Sequence, residues 1–359
     1  MVRGMNRNRL VMTVTLAAAA VGVGGLVALA IPAGAGEQPS LPPVSAQELV
    51  SSALSAQVPA MSGTVTVDNH LGLPALPGLP QLGPGASSIR VWSDGHGRSR
   101  VALPSVNGER TLINDGTTLW IWDSSTHTAH KTSKPSAKSG APEAVDPATM
   151  ARGLLAMLQP SSTTEVDGTA KVAGRPAYEL VLAPAPTERT LLREIRVAVD
   201  SETRMPLRLV VLAQGSSDPV LSVGFTDLNV GPQDAGRFQF TPPPGTTVTE
   251  DEAPDAGSAS SWLDKVKFVG DGWDTVVLTK LPSGALDAPA EHHHAPFDKP
   301  GAAGFDPQAM LEHIGTQVSG PWGHGTLITT AVASAIVTSD GTIAAGAVPQ
   351  QVLTEALSR

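Results

Sequence analysis

Alternating apolar and polar residues run through the first two thirds of the chain. Val65 and Val67 alternate with threonines, and Ile195 and Val197 flank Arg196. A period of two is typical of a strand whose two faces have different surroundings. Short turns join successive runs and no helices alternate with them. The pattern therefore predicts a mainly β, α+β protein built on an antiparallel meander.

One predicted strand has two apolar faces. It follows the turn signal Asp115-Gly116 and places Trp120 and Trp122 on one face. Leu119 and Ile121 lie on the other face. Such a strand lies between two layers or lines a cavity, and the sequence leaves open which face would line it. We expect the strand that follows the Asp115-Gly116 turn to run to about residue 131.

Helical signals are short and well separated. Ser45 and Glu48 have the spacing of a capping box before a helix that ends near residue 57, with Leu49 and Leu54 among its apolar positions. Asp146-Pro147 predicts the start of a helix that ends at about residue 159. That helix places four residues on one side: Met150, Leu154, Met157 and Leu158. Further short helices are predicted at 262–268, 306–314 and 350–357.

The last hundred residues predict a small α+β unit. A strand is expected at 275–279, and a hairpin of strands 326–338 and 342–348 turns at Asp340-Gly341. An acidic stretch rich in Ala, Gly, Ser and Pro precedes this unit. We therefore divide the chain into five parts: a signal segment 1–35, a linker 36–44, a β-rich domain 45–249, a linker 250–261 and a C-terminal domain 262–359.

The N-terminus has the parts of a secretory signal. Arg3, Arg7 and Arg9 precede an uncharged apolar run over 10–31, and the small-residue pattern Ala33-Gly34-Ala35 follows. The run is also long enough to be retained as a membrane anchor. In either case we expect the residues after 36 to be exported across the cytoplasmic membrane.

Composition and motifs exclude several classes of function. The net charge is −9 with no cysteine, which disfavours nucleic acid as a partner and removes thiol catalysis. The chain has no phosphate loop, dinucleotide fingerprint or serine-nucleophile elbow. His292-His293-His294 lacks the spacing of a tuned metal site and is interpreted as a solvated loop. We therefore expect no enzyme activity, no cofactor and no metal.

A segment rich in proline and leucine, residues 71–85, fits neither a helix nor a central strand. One interpretation is an irregular loop that packs its leucines on the protein. The other is a mobile apolar flap over a ligand-binding opening.

Three motifs in order carry a resemblance to a known family. They are Asn114-Asp-Gly-Thr-Thr-Leu-Trp-Ile-Trp-Asp123, then Val197-Ala-Val-Asp-Ser-Glu-Thr-Arg-Met-Pro-Leu207, then Phe238-Gln-Phe-Thr-Pro-Pro-Pro-Gly245. Together they resemble the LolA/LolB/LppX superfamily of exported lipid and lipoprotein carriers, and in particular its actinobacterial LolA-like and DUF2092-type members. The resemblance covers about residues 45–248.

The resemblance implies a curved, incomplete antiparallel β-barrel with a helical lid and an apolar cavity for acyl chains. The second domain is similar to the layout of MucB/RseB-type regulators, which pair a LolA-like unit with a smaller one. We therefore hold three hypotheses. They are a binder of lipid or an acylated lipoprotein, a regulator of an anti-sigma factor or other membrane-bound protein, and a domain whose tryptophans only fill a core.

The candidate cavity residues come from the two-faced strand, its neighbours and the helix that would act as lid. They are Trp92, Leu119, Trp120, Ile121, Trp122, Leu154, Leu158, Ile195 and Val197. Burial of the apolar parts of a ligand would supply the affinity, at roughly 0.8 kcal/mol for each methylene.

Overall fold

The computed structural model describes residues 38–72, 85–105, 107–133, 152, 155, 158–251, 266–281, 311 and 315–359. The signal segment 1–35, residues 73–84 of the proline-rich segment, Leu154 and the histidine cluster lie outside the described residues. The same holds for most of the helices predicted at 147–159 and 306–314, and for linker residues 252–261.

The described part of the chain begins with the predicted helix, α1 (Ala46–Ser55). The backbone N–H of Glu48 donates to Ser45 Oγ at 3.2 Å, which satisfies one free amide of the first turn. Leu49, Val50 and Ala53 form its buried side. Leu54, another apolar position of this helix, is not part of the buried side. It is 36% exposed because it lies beyond the arc that the buried residues span.

A single sheet of twelve strands follows. Its strands are β1 (Ala60–Asn69), β2 (Gly85–Asp94), β3 (Ser99–Ser105), β4 (Gly108–Asn114), β5 (Thr118–Asp123), β6 (Thr128–Ser133), β7 (Ser162–Val172), β8 (Arg175–Pro184), β9 (Leu192–Asp200), β10 (Pro206–Ala213), β11 (Pro219–Val230) and β12 (Thr247–Asp251). The spatial order is β12-β6-β5-β4-β3-β2-β1-β11-β10-β9-β8-β7. Strand β1 therefore joins two antiparallel meanders.

The sheet is curved and does not close into a barrel, which confirms the predicted fold class. Its edge strands, β12 and β7, do not pair with each other. Strand β12 was not predicted, and it pairs with β6 in parallel, unlike the other pairs of this sheet. It extends to Asp251, so the first two residues of the predicted linker at 250–261 belong to a strand.

A second, smaller sheet contains the C-terminal strands. They are β13 (Lys267–Val269), β14 (Val276–Lys280), β15 (Thr316–Gly320), β16 (Gly323–Thr329), β17 (Ser334–Thr338) and β18 (Thr342–Gly346), in the order β13-β14-β18-β17-β16-β15. Helix α2 (Gln350–Leu357) packs Val352, Leu353 and Ala356 into the core of this sheet. The small α+β character expected of the C-terminal residues is confirmed.

Three predicted boundaries are wrong, each because a turn or a strand pairing interrupts the local pattern. The exit strand of the tryptophan hairpin ends at Asp123, and a turn at residues 124–127 precedes β6. The run 326–338 is two strands, because Thr330 Oγ1 accepts from the N–H of Ala333 at 2.9 Å and closes a turn. Residues 267–269 form a strand rather than the end of a helix, because they pair with β14.

Residues between the strands of the smaller sheet enter the core of the larger one. Trp273, 2% exposed, packs in the same cluster as residues of α1 and strands β8–β11. Its indole Nε1 donates to Ser162 Oγ at 2.8 Å, and its backbone N–H donates to Glu188 Oε2 at 2.8 Å. The Arg189 guanidinium contacts the Glu355 carboxylate of α2 through two hydrogen bonds of 3.0 and 2.8 Å. The division into domains at residues 250–261 stays a prediction.

The β9–β10 turn explains the second sequence motif. The Asp200 carboxylate is completely buried and accepts from the N–H and the hydroxyl of Thr203 at 3.0 and 2.6 Å. Arg175 Nε and Nη2 donate to the same carboxylate at 3.0 and 2.7 Å. Burial alone would raise the pKa of Asp200, but the hydrogen bonds from Arg175 and Thr203 outweigh it and hold the pKa below its usual value.

We expect Asp200→Asn to lower the free energy of unfolding by roughly 3 kcal/mol at neutral pH, because it leaves a partly buried guanidinium facing a neutral group. A carboxyl with a lowered folded-state pKa stabilises above its unfolded pKa of about 3.9 and loses that contribution as the pH falls through the folded value. The difference between the two proteins should therefore shrink in acid. Urea unfolding across pH checks this, and a difference independent of pH would contradict it.

Candidate ligand-binding site

Strand register divides the curved sheet into two faces. Cross-strand partners lie on the same side of a sheet. One row of partners across β1–β5 is Gly63–Val91–Val101–Leu112–Ile121. Another, from β1 to β8, is Val67–Val223–Leu209–Val197–Leu180. Both rows lie on one side, where α1 packs, and we name this side the helix face.

The opposite side carries the indoles. Its register row across β2–β5 is Trp92–Arg100–Ile113–Trp120, and Trp122 lies two residues farther along β5. We name this side the tryptophan face. The two apolar sides of β5 are thus separated. Trp120 and Trp122 lie on the tryptophan face, and Leu119 and Ile121 lie on the helix face.

The closing segment, residues 235–240, covers part of the tryptophan face. The Phe240 ring lies 5.3 Å from the Trp120 ring and 6.0 Å from the Trp122 ring, centre to centre. Phe238 and Ile113 are fully buried. The third sequence motif therefore supplies two aromatic rings that pack on this face.

The first motif forms the turn that leads into β5. Asp115 Oδ1 accepts from the backbone N–H groups of Thr117 and Thr118 at 2.8 and 2.7 Å. Asn114 Oδ1 accepts from the N–H of Gly116 at 3.0 Å, and Gly116 has φ +100°, which favours glycine. The Asp-Gly signal thus fixes the hairpin and, with it, which side chains reach each face.

The candidate residues on the helix face have different surroundings. Ile195, Val197 and Leu158 are buried in the cluster that contains α1. Leu119 and Ile121 lie on the same face and are only half-buried. Leu155 was not predicted, although it is 2% exposed in that cluster. The prediction named the neighbouring Leu154, which lies outside the described residues.

A cleft of about 380 Å³ lies beside strands β1–β3. Its lining is mixed, with an apolar floor and a polar rim. The floor includes Val58, Met61, Val91 and Val101, and the rim includes Gln57, Ser93, His96, Arg98, Ser99, Asn114 and Arg152. Trp92 also borders it. Of the candidates that fall on described residues, Trp92 is therefore the one that contributes to the lining of this cleft.

Two arginines at the rim have defined partners. Arg152 Nη1 donates to the backbone carbonyl of Ala56 at 2.6 Å, next to the C-terminal end of α1. Arg98 Nε donates to Asp94 Oδ2 at 2.6 Å. Burial would raise the pKa of Asp94, but hydrogen bonds from Arg98 and from the backbone N–H of His96 lower it below the usual value. The rim is therefore held by ionic and backbone hydrogen bonds.

Comparison with curated proteins finds a similarity to lipoprotein carriers. The chain is 28% identical over 141 residues to outer-membrane lipoprotein carrier proteins from two strains of Neisseria meningitidis, covering 39% of this chain and 61% of each carrier. The matched part thus spans less than two thirds of those relatives. The resemblance to the LolA superfamily is confirmed. No protein-family model matches the chain.

Solved structures give weaker likenesses. A chain of the Pseudomonas aeruginosa MucA/MucB complex is 17% identical, with 87% of this chain and 96% of that chain covered and a TM-score of 0.44. A LolA superfamily protein from Nitrosomonas europaea is 14% identical, with 55% and 99% covered and a TM-score of 0.27. These low TM-scores do not by themselves establish a shared function.

Within the described ranges, no helix has the length and apolar character needed to cross a bilayer.

We expect Phe240→Ala to shift tryptophan emission to longer wavelength and to cost about 2 kcal/mol in the free energy of unfolding, because it exposes Trp120 and Trp122 to water. Phe268→Ala is the matched control, since Phe268 is 62% exposed and its loss should change stability little. Fluorescence and urea unfolding of both variants check this. Equal effects of the two changes would show that Phe240 does not cover the indoles.

Proposed function

We propose that this protein binds lipid, or the acyl chains of a lipoprotein, outside the cytoplasmic membrane. The observation that carries the proposal is the cleft with an apolar floor on the helix face of a LolA-like open sheet. Its volume of about 380 Å³ lies within the range typical of small-molecule sites. The name of the curated relatives, outer-membrane lipoprotein carrier, supports the same class of ligand.

The chemistry of the lining fits an amphiphile. Met61, Val91 and Val101 line the cleft with aliphatic atoms, and each methylene of a ligand that leaves water there contributes roughly 0.8 kcal/mol. The more exposed polar residues of the rim, including Ser99, suit a polar headgroup. Leu119 and Ile121 extend the apolar side along the helix face, and we propose them as further contacts of a long chain.

The test compares phenylalanine substitutions at Ser99 and Thr64, which lie on opposite faces of the larger sheet. Ser99 lines the cleft, so Ser99→Phe should fill its opening. Thr64 is also half-buried in a strand but lies on the tryptophan face, in register with Arg90, so Thr64→Phe is the matched control. We expect Ser99→Phe to lower binding of a fluorescent fatty acid at least several-fold and Thr64→Phe to leave it unchanged.

Native mass spectrometry and solvent extraction of the purified protein give the second readout. Co-purified lipid in the wild type, reduced in Ser99→Phe, supports the proposal. A wild-type protein that carries no lipid and binds no fatty acid contradicts it, whatever the two variants do.

A second candidate function is regulation of an anti-sigma factor or another membrane-bound protein. The C-terminal sheet favours it, because Trp273 and the Arg189–Glu355 pair join that sheet to the larger one and create a two-sheet surface. We expect cross-linking in cells, followed by purification from membranes, to recover one membrane protein in near-stoichiometric amount. Recovery of lipid alone would favour the carrier hypothesis.

A further inference from the structure

Three arginines surround one indole on the tryptophan face. Arg100 lies directly across from Trp92 in the register of β2 and β3, and Arg90 lies two residues before Trp92 on β2. Arg237, from the closing segment, reaches the same ring. The guanidinium carbons of Arg90 and Arg237 lie 5.6 and 5.8 Å from the centre of the Trp92 ring. We name these four residues the arginine cluster.

Hydrogen bonding holds the cluster together. Arg100 Nη1 donates to the backbone carbonyl of Arg237 at 3.3 Å, which ties β3 to the closing segment. Both contacts with Trp92 lie within the distance at which a cation is attracted to an aromatic face. The guanidiniums are thus arranged on the surface around a half-buried ring, and the Arg90 side chain is 56% exposed.

The cluster carries excess positive charge in an acidic protein. Arg90 contacts Glu109 at 2.9 Å, and this pair is nearly neutral. Among the described residues, neither Arg100 nor Arg237 has a carboxylate within ion-pair distance. The nearby Asp234 carboxylate accepts from the N–H of Gly236. The chain as a whole has a net charge of −9, so this is a local reversal of sign.

The surface beside the cluster bears mainly hydroxyl groups. On this face β1 presents Ser62 and Thr64, which lie in register with Trp92 and Arg90. An acidic residue, Asp227, comes one strand farther away, opposite Thr64. The Glu109 carboxylate also borders the cluster, but it is paired with Arg90.

We propose that the arginine cluster is a docking surface for an anionic phospholipid membrane. Guanidiniums bind phosphate oxygens through paired hydrogen bonds, and an indole favours the boundary between headgroups and acyl chains. Arginines gathered around an indole meet both requirements in one cluster. Anionic peptides offer charge but no such boundary, so the indole favours a membrane over an acidic protein segment.

This proposal goes beyond the proposed function and does not rest on it. The three arginines lie on the tryptophan face and are not among the residues that line the cleft, whereas Trp92 borders both. Docking can therefore be tested without a bound ligand, and its failure leaves lipid binding in the cleft unaffected.

The test measures binding of the full chain to two kinds of vesicle at low ionic strength. One kind contains equal parts of phosphatidylglycerol and phosphatidylcholine, and the other contains phosphatidylcholine alone. We compare the variant Arg100→Gln/Arg237→Gln with the control Lys171→Gln/Lys267→Gln. The control removes the same charge from two exposed lysines on other strands, β7 and β13.

We expect the arginine variant to bind the phosphatidylglycerol vesicles about 30-fold more weakly than the wild type, since each arginine near an anionic surface contributes roughly five-fold. The lysine control should stay within a few-fold of the wild type, and added salt should remove the difference. Equal binding of the two variants, or no preference of the wild type for anionic vesicles, overturns the proposal. Loss of binding to a poly-glutamate peptide with unchanged vesicle binding overturns it in favour of an acidic protein partner.

A second readout locates the contact. Brominated phosphatidylglycerol should quench part of the tryptophan fluorescence of the wild type, and Trp92→Phe should lose that quenched part. Because Trp92 also borders the cleft, the same quenching should weaken in Arg100→Gln/Arg237→Gln, whose arginines do not line the cleft. Quenching that is unchanged in Trp92→Phe would place the contact elsewhere and contradict the assignment. Circular dichroism of each variant confirms that it is folded before either measurement.

Discussion

An open sheet with apolar residues on both faces needs a cover on each face to exist in water. This requirement explains most of the structure. On the tryptophan face, Phe238 and Phe240 of the closing segment contact the sheet where its indoles lie. On the helix face, α1 and Trp273 of the second sheet join a common core. Each cover buries apolar area that would otherwise oppose folding.

The same requirement places the candidate site. The covers on the helix face pack most closely on strands β8–β11, where Leu180 and Val197 are almost completely buried. The cleft lies on the other half of the sheet, beside β1–β3, where the polar rim begins. A carrier needs such a boundary between a packed core and an accessible apolar surface, because its ligand has to enter and leave.

The three sequence motifs could be predicted because each has a local physical role. Asp115 caps a hairpin turn, Asp200 holds a turn together with Thr203, and Phe240 covers the indoles. Roles of this kind depend on residues close in sequence or on one conspicuous aromatic. Strand β12 gave no such signal, because its pairing with β6 joins residues more than a hundred positions apart. Leu155 was missed because the period of the apolar residues pointed to Leu154, at the neighbouring position.

By itself, the sequence determined most strands of the larger sheet and the two apolar sides of the segment after Asp115-Gly116, because alternation and turn chemistry are local. It also determined the resemblance to exported carriers through motifs in order. Only the tertiary structure decided that Trp120 and Trp122 meet the closing segment whereas Leu119 and Ile121 lie on the helix face. That choice depends on cross-strand register and on which distant segment covers each side, and neither is encoded in a period of two.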